Sequence, residues 1–72
     1  MKFIFTNHAK CRLNERNISI DLVKKVILNA DGRKVDEYGM ITARKSVGNK
    51  KLEIVYKIKH NVHIIITAYY EN

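Results

Sequence analysis

The hydrophobic period of this sequence changes once, at Gly32, and that change fixes the order of its parts. Before Gly32 the apolar residues Ile20, Val23, Ile27 and Ala30 recur at helical spacing, with Leu22 and Val26 beside them. After it they alternate. Between Lys51 and Lys59, Leu52, Ile54, Tyr56 and Ile58 share one face, and Lys51, Glu53, Lys57 and Lys59 share the other. That period of two is the mark of a half-buried strand. A chain that is helical first and stranded second folds as α+β rather than as alternating α/β units.

The punctuation refines the outline. Phe3-Ile4-Phe5 reads as a short strand or a hydrophobic anchor. Thr6 or Asn7 then caps a first helix running to about Arg16, whose only apolar residues are Ala9, Cys11 and Leu13. Ser19 caps a second helix, with Asp21 favoured by the dipole in its first turn and Ile18 placed to staple onto Val23. Asn29-Ala30-Asp31-Gly32 stops it. Strands are expected over Arg33–Tyr38 and Met40–Val47 with Gly39 between them, then Lys51–Lys59 after a Gly48-Asn49 hairpin. His60-Asn61 is the next turn, and Val62–Tyr70, apolar on both faces, suits a central strand. The expectation is one domain over residues 1–72, with two N-terminal helices packed on a four-stranded antiparallel sheet.

A chain of 72 residues removes only about 60% of its surface from water on folding, so its core must be small and well patterned. One cysteine, Cys11, makes no internal disulfide and reads as an inert, partly buried thiol. His8, His60 and His63 lack metal-ligand spacing, so no metal or other cofactor is expected. No segment approaches the roughly 18 apolar residues of a membrane span, and the N-terminal apolar run is too short for a signal peptide. A cytoplasmic, reduced protein is expected. Fourteen Lys and Arg against seven Asp and Glu give a net charge of +7, which favours a polyanionic partner, nucleic acid first.

On the first helix, His8, Arg12, Glu15 and Arg16 fall within about 100° of arc. A solvated face with an Arg12–Glu15 pair explains such a stripe in structural terms. Chemistry offers another explanation, because an imidazole moves protons near neutral pH and guanidinium holds phosphate bidentately. In the last strand, alternation puts His63, Ile65, Thr67 and Tyr69 on one face. Thr67 and Tyr69 would there offer a hydroxyl, a stacking surface or a proton donor, or simply β-propensity and a rim aromatic. Tyr56 falls in the apolar register and is a core residue. Arg44, Lys45 and Lys57 are candidate nucleic-acid contacts, while Lys50 and Lys51 flank a hairpin tip as solubility charges or distal phosphate contacts.

The stretch from Phe5 to Ser19, Phe-Thr-Asn-His-Ala-Lys-Cys-Arg-Leu-Asn-Glu-Arg-Asn-Ile-Ser, resembles the opening motif F-[ST]-x-H-A-x-x-R-[ML]-x-E-R-G-I-S. That motif marks a family of small bacterial and phage domains of unknown function, grouped by resemblance with the RelE/ParE-like toxins and the barnase–colicin–RelE ribonuclease fold. The likeness extends to a terminal I-T-x-Y, here Ile66-Thr67-Ala68-Tyr69. Asn17 replaces the usual glycine, tolerably because Asn also visits the left-handed region, and Tyr70 replaces a following proline. The resemblance implies a RelE/ParE-like arrangement of two helices on an antiparallel sheet. It marks His8, Arg12 and Arg16 first, then Thr67 and Tyr69.

The resulting expectation is a metal-independent endoribonuclease acting as the toxin of a toxin–antitoxin pair, with RNA, free or ribosome-associated, as substrate and an acidic antitoxin as partner. His8 would be the general base or acid, and Arg12 with Arg16 or Arg44 would stabilise the phosphorane. The alternative is a non-catalytic module that binds nucleic acid or a protein through the same basic face.

Overall fold

The computed structural model describes residues 1–71, in the order β1 (Lys2–Phe5), α1 (Asn7–Glu15), α2 (Ile20–Leu28), β2 (Gly32–Val35), β3 (Ile41–Val47), β4 (Lys50–Lys59) and β5 (Val62–Glu71). Residue 72, the last of the expected domain, lies outside the described residues. The class is α+β, but the expected four-stranded antiparallel sheet is corrected to a five-stranded mixed one. Strand order is β1-β5-β4-β3-β2, with β1 parallel to β5 and the other neighbours antiparallel. Phe3-Ile4-Phe5 is thus a strand, pairing in register with His63, Ile64 and Ile65. Three apolar residues are too short a run to show a period, and their partner lies at the opposite end of the chain.

The helices start as their caps require. Thr6 Oγ1 accepts from Ala9 N at 3.1 Å and Ser19 Oγ from Leu22 N at 3.0 Å. Asn17, at φ 54, makes the left-handed corner between the helices. Both helices pack on one face of the sheet. Ala9, Leu13, Ile18, Val23, Val26 and Ile27 meet Ala43, Leu52, Ile54, Tyr56, Ile65 and Ala68 in a single core. Residues such as Leu52 and Ile54, fully buried, each stabilise the fold by about 1.5–3 kcal/mol before entropy is counted. Among the described residues no element covers the opposite face.

Two local features depart from simple alternation. The first strand after α2 ends at Val35 rather than Tyr38, because Asp36 Oδ1 captures the amides of Tyr38 (2.8 Å) and Met40 (2.9 Å) and turns the chain. The second is a β-bulge in β5. Val55 pairs with Thr67 and Tyr56 with Ile65, leaving Ile66 without a partner. One extra residue reverses the facing of everything beyond it.

Candidate functional site

α1 is built to lie against β5. β1 stops pairing at Ile65, so the β5 edge beyond it would present unpaired carbonyls. Thr6 N donates to Ile65 O at 3.2 Å and Thr6 Oγ1 to Ile66 O at 3.4 Å. At the other end of the helix, Arg16 Nη1 donates to Ala68 O at 2.6 Å. Ala9 and Leu13 are buried one turn apart, which leaves His8 exposed and Arg12 half-buried on the flank. Arg12 Nη1 holds Glu15 at 3.0 and 3.2 Å, the pairing expected of a solvated stripe. His8 makes no hydrogen bond or ion pair among the described residues.

The bulge at Ile66 corrects the expected grouping on β5. His63 and Ile65 face the helices, whereas Thr67 and Tyr69 face the uncovered side, opposite Val55 and Glu53. His63 is a core residue, 9% exposed, with ring centroids 5.1 Å from Phe3 and 5.6 Å from Tyr56. Its Nδ1 is the one buried side-chain polar atom without a partner among the described residues. Burial, and after it the positive N-terminus, lowers its pKa below the ordinary 6.5.

Arg44, Glu53 and Tyr69 lie side by side across β3, β4 and β5 on the uncovered face. Arg44 Nε is 4.0 Å from Glu53 Oε1, and its Nη1 is 3.9 Å from Glu71 Oε2, so neither contact is a hydrogen bond. Burial raises the Tyr69 pKa above 10, and the charge and hydrogen bond of Glu53 raise it further. Lys57 is exposed on this face, but Lys45 is not part of it. Its Nζ turns under α2, donating to Asn29 O at 3.0 Å and lying 3.7 Å from Asp31 Oδ1. Tyr56 is buried as expected, whereas Cys11, expected to be partly buried, is exposed.

Arg16 therefore meets the β5 segment that carries Thr67 and Tyr69, and Arg44 meets Tyr69 through Glu53. Glu53, with its side chain 15% exposed, is the residue that sequence reasoning missed. Alternation had put it on the polar face of its strand, but only the register with β3 and β5 places it between Arg44 and Tyr69. Two depressions open beside it. One, of about 250 Å³, is lined by Asp31, Gly32, Arg44, Ser46 and Lys51. The other, of about 120 Å³, is lined by Gly32, Arg33, Lys34, Thr42, Arg44 and Glu53. Among the described residues no three His, Cys, Asp or Glu side chains converge as a metal site, and no helix is long and apolar enough to cross a membrane.

The family described as Domain of unknown function (DUF4258) matches residues 5–70. The chain belongs to that family. The match starts at Phe5, where the sequence motif begins, and takes in α1, α2 and β2–β4 entire. In this DUF4258 chain it therefore includes the α1 stripe, the bulge and the Arg44–Glu53–Tyr69 row. No curated protein and no solved structure matches the chain.

Proposed function

We propose that this chain is a metal-independent endoribonuclease that acts as the toxin of a toxin–antitoxin pair, with an acidic antitoxin covering its basic surface. The observation that supports it best is the docking of α1 on β5. Thr6 and Arg16 tie the two ends of the helix to the Ile66 and Ala68 carbonyls, so the His8–Arg12 row runs along the β5 segment whose other face carries Thr67 and Tyr69. The likeness of the Phe5–Ser19 motif to RelE/ParE-like toxins points the same way.

In this reading a ribose 2′-hydroxyl attacks the adjacent phosphorus, forming a cyclic phosphate and releasing a 5′-hydroxyl. His8, exposed at the start of α1, takes or returns the proton. Arg12 exchanges its exposed Glu15 partner for the phosphorane oxygens. Tyr69 keeps its proton well above neutral pH and so serves as a donor, not a base. Thr67, like Tyr69 on the uncovered face of β5, holds a neighbouring backbone phosphate.

One observation favours a second reading, a module that binds nucleic acid without cutting it. Arg16 is already bonded to Ala68 O and Arg12 to Glu15, so both guanidiniums have structural partners. Incubating the EDTA-treated protein and its His8→Ala variant with structured and single-stranded RNA separates the two. Cleavage on a denaturing gel by the parent alone is the expected result. Full cleavage by the folded variant removes His8 from the mechanism. A salt-sensitive shift on a native gel without cleavage establishes the binding module instead.

A further inference from the structure

The two depressions on the uncovered face share Gly32 and Arg44, so they adjoin as one groove that spans β2, β3 and the start of β4. We infer that this groove is a track for the extended phosphodiester backbone of a single-stranded nucleic acid, with Lys34, Arg44 and Lys51 each meeting a phosphate. The ligand class rests on the RNA reading above, but the track needs no cleavage and involves neither His8 nor Arg12.

Register carries the inference. Lys34 pairs with Thr42, Gly32 with Arg44, and Lys51 with Ser46, all on the uncovered face. The three cations thus step diagonally from β2 through β3 to β4, two residues along and one strand across each time, which puts their Cα positions about 8 Å apart. Long side chains can close that to the spacing of successive phosphates on an extended strand, and a single diagonal line of cations matches one backbone rather than two. Gly32 keeps the floor open: a Cβ there would meet nothing within 4 Å.

The charges around the groove leave its cations free to act. Asp31, the only acid lining the wider half, is already compensated by Lys45 at 3.7 Å and by Ser46 N, which donates to its Oδ2 at 2.9 Å. Glu53 and Glu71 lie near Arg44 at 4.0 and 3.9 Å without hydrogen-bonding it, so its N–H groups remain available to a phosphate. A phosphate that accepts two of them forms a stronger, charge-assisted contact than either carboxylate makes. Contacts of this kind fix the backbone and read no bases, so the track is tolerant of sequence.

The test uses dye-labelled oligothymidylate, which lacks the 2′-hydroxyl and survives any attack by it, with anisotropy read across a salt series. The whole chain binds the single strand more tightly than the corresponding duplex. The Lys34→Gln/Lys51→Gln pair flattens the slope of log affinity against log salt by about 1.4, since each lost cation accounts for about 0.7 on single strands. Lys10→Gln/Lys25→Gln, an equal charge change on the helices, leaves the slope near that of the parent. Gly32→Leu fills the floor and weakens binding about tenfold, the scale of one lost charge-assisted contact, with thermal unfolding unchanged. No binding, equal preference for duplex, or the same slope change from both lysine pairs overturns the track. Binding intact with RNA uncut sinks the nuclease reading alone, and cutting intact with both groove variants silent sinks the track alone.

Discussion

At the scale of single residues, the informative groups are those whose surroundings differ from what their type suggests. His63 is an imidazole held between two aromatic rings with one nitrogen unpartnered, and burial lowers its pKa. The unfolded chain then takes up a proton at higher pH than the folded one, so stability is full above about 6.5 and is lost as pH falls through the depressed folded value. The melting temperature is expected to fall below pH 6.5, and His63→Phe is expected to flatten that dependence; an unchanged profile in the variant would assign it to other groups. Tyr69 titrates in the opposite sense. Its difference spectrum against Tyr69→Phe should place the midpoint of phenolate formation above the usual 10, and Glu53→Gln should bring that midpoint back down, by removing the carboxylate's charge from beside the ring.

At the scale of elements, α1 does two jobs through the same few residues. It buries Ala9 and Leu13 in the core, and it closes the stretch of β5 edge that β1 is too short to reach. An open edge at that point would leave the Ile66 and Ala68 carbonyls ready to pair with another chain. Thr6→Ala removes both the cap and the tie to Ile66, and urea unfolding should register a loss of about 1–2 kcal/mol. Arg16→Ala should cost about 1 kcal/mol through the lost bond to Ala68. Restoration by Arg16→Lys, a single-point donor, would show that the fork geometry of the guanidinium is unimportant there. The bulge in β5 acts on the same segment, since it presents Thr67 and Tyr69 on the uncovered face while His63 and Ile65 stay in the core.

At the scale of the whole molecule, one face of the sheet carries the helices and the other is left uncovered, with a row of charged side chains on it. The net charge of +7 is a property of the composition, and the fold decides which cations share a face. Arg44, Lys51 and Lys57 share the uncovered face, while Lys45 is drawn under the helix by Asn29 and Asp31. Cohesion is graded across the sheet, because β4 and β5 are central and supply most of the buried strand residues, whereas β2 is an edge exposed throughout. Native-state hydrogen exchange should therefore be slowest in β4 and β5 and fastest in β2. Protection in β2 equal to that in β4 would mean that the edge is covered in solution.

The sequence by itself determined the α+β class, both helix starts, the hairpin corners and the inward face of β4 as far as Tyr56, because each is written within a few residues as a cap, a glycine or a period; Ile58, expected on that face, is half exposed. It also marked His8, Arg12, Arg16, Thr67 and Tyr69 as a set, through motif likeness and spacing along single elements. What only the tertiary structure decided depends on pairing between distant segments. Phe3-Ile4-Phe5 becomes a strand only because Val62–Ile65 is there to receive it in parallel. The extra residue at Ile66 is visible only against β4, and it sends His63 inward and Thr67 outward although they lie an even number of positions apart. Glu53 acquires its neighbours in the same way, because local pattern fixes which way a side chain alternates and register across the sheet fixes what it meets; Lys45, next to Arg44 in one strand, turns to the helix face.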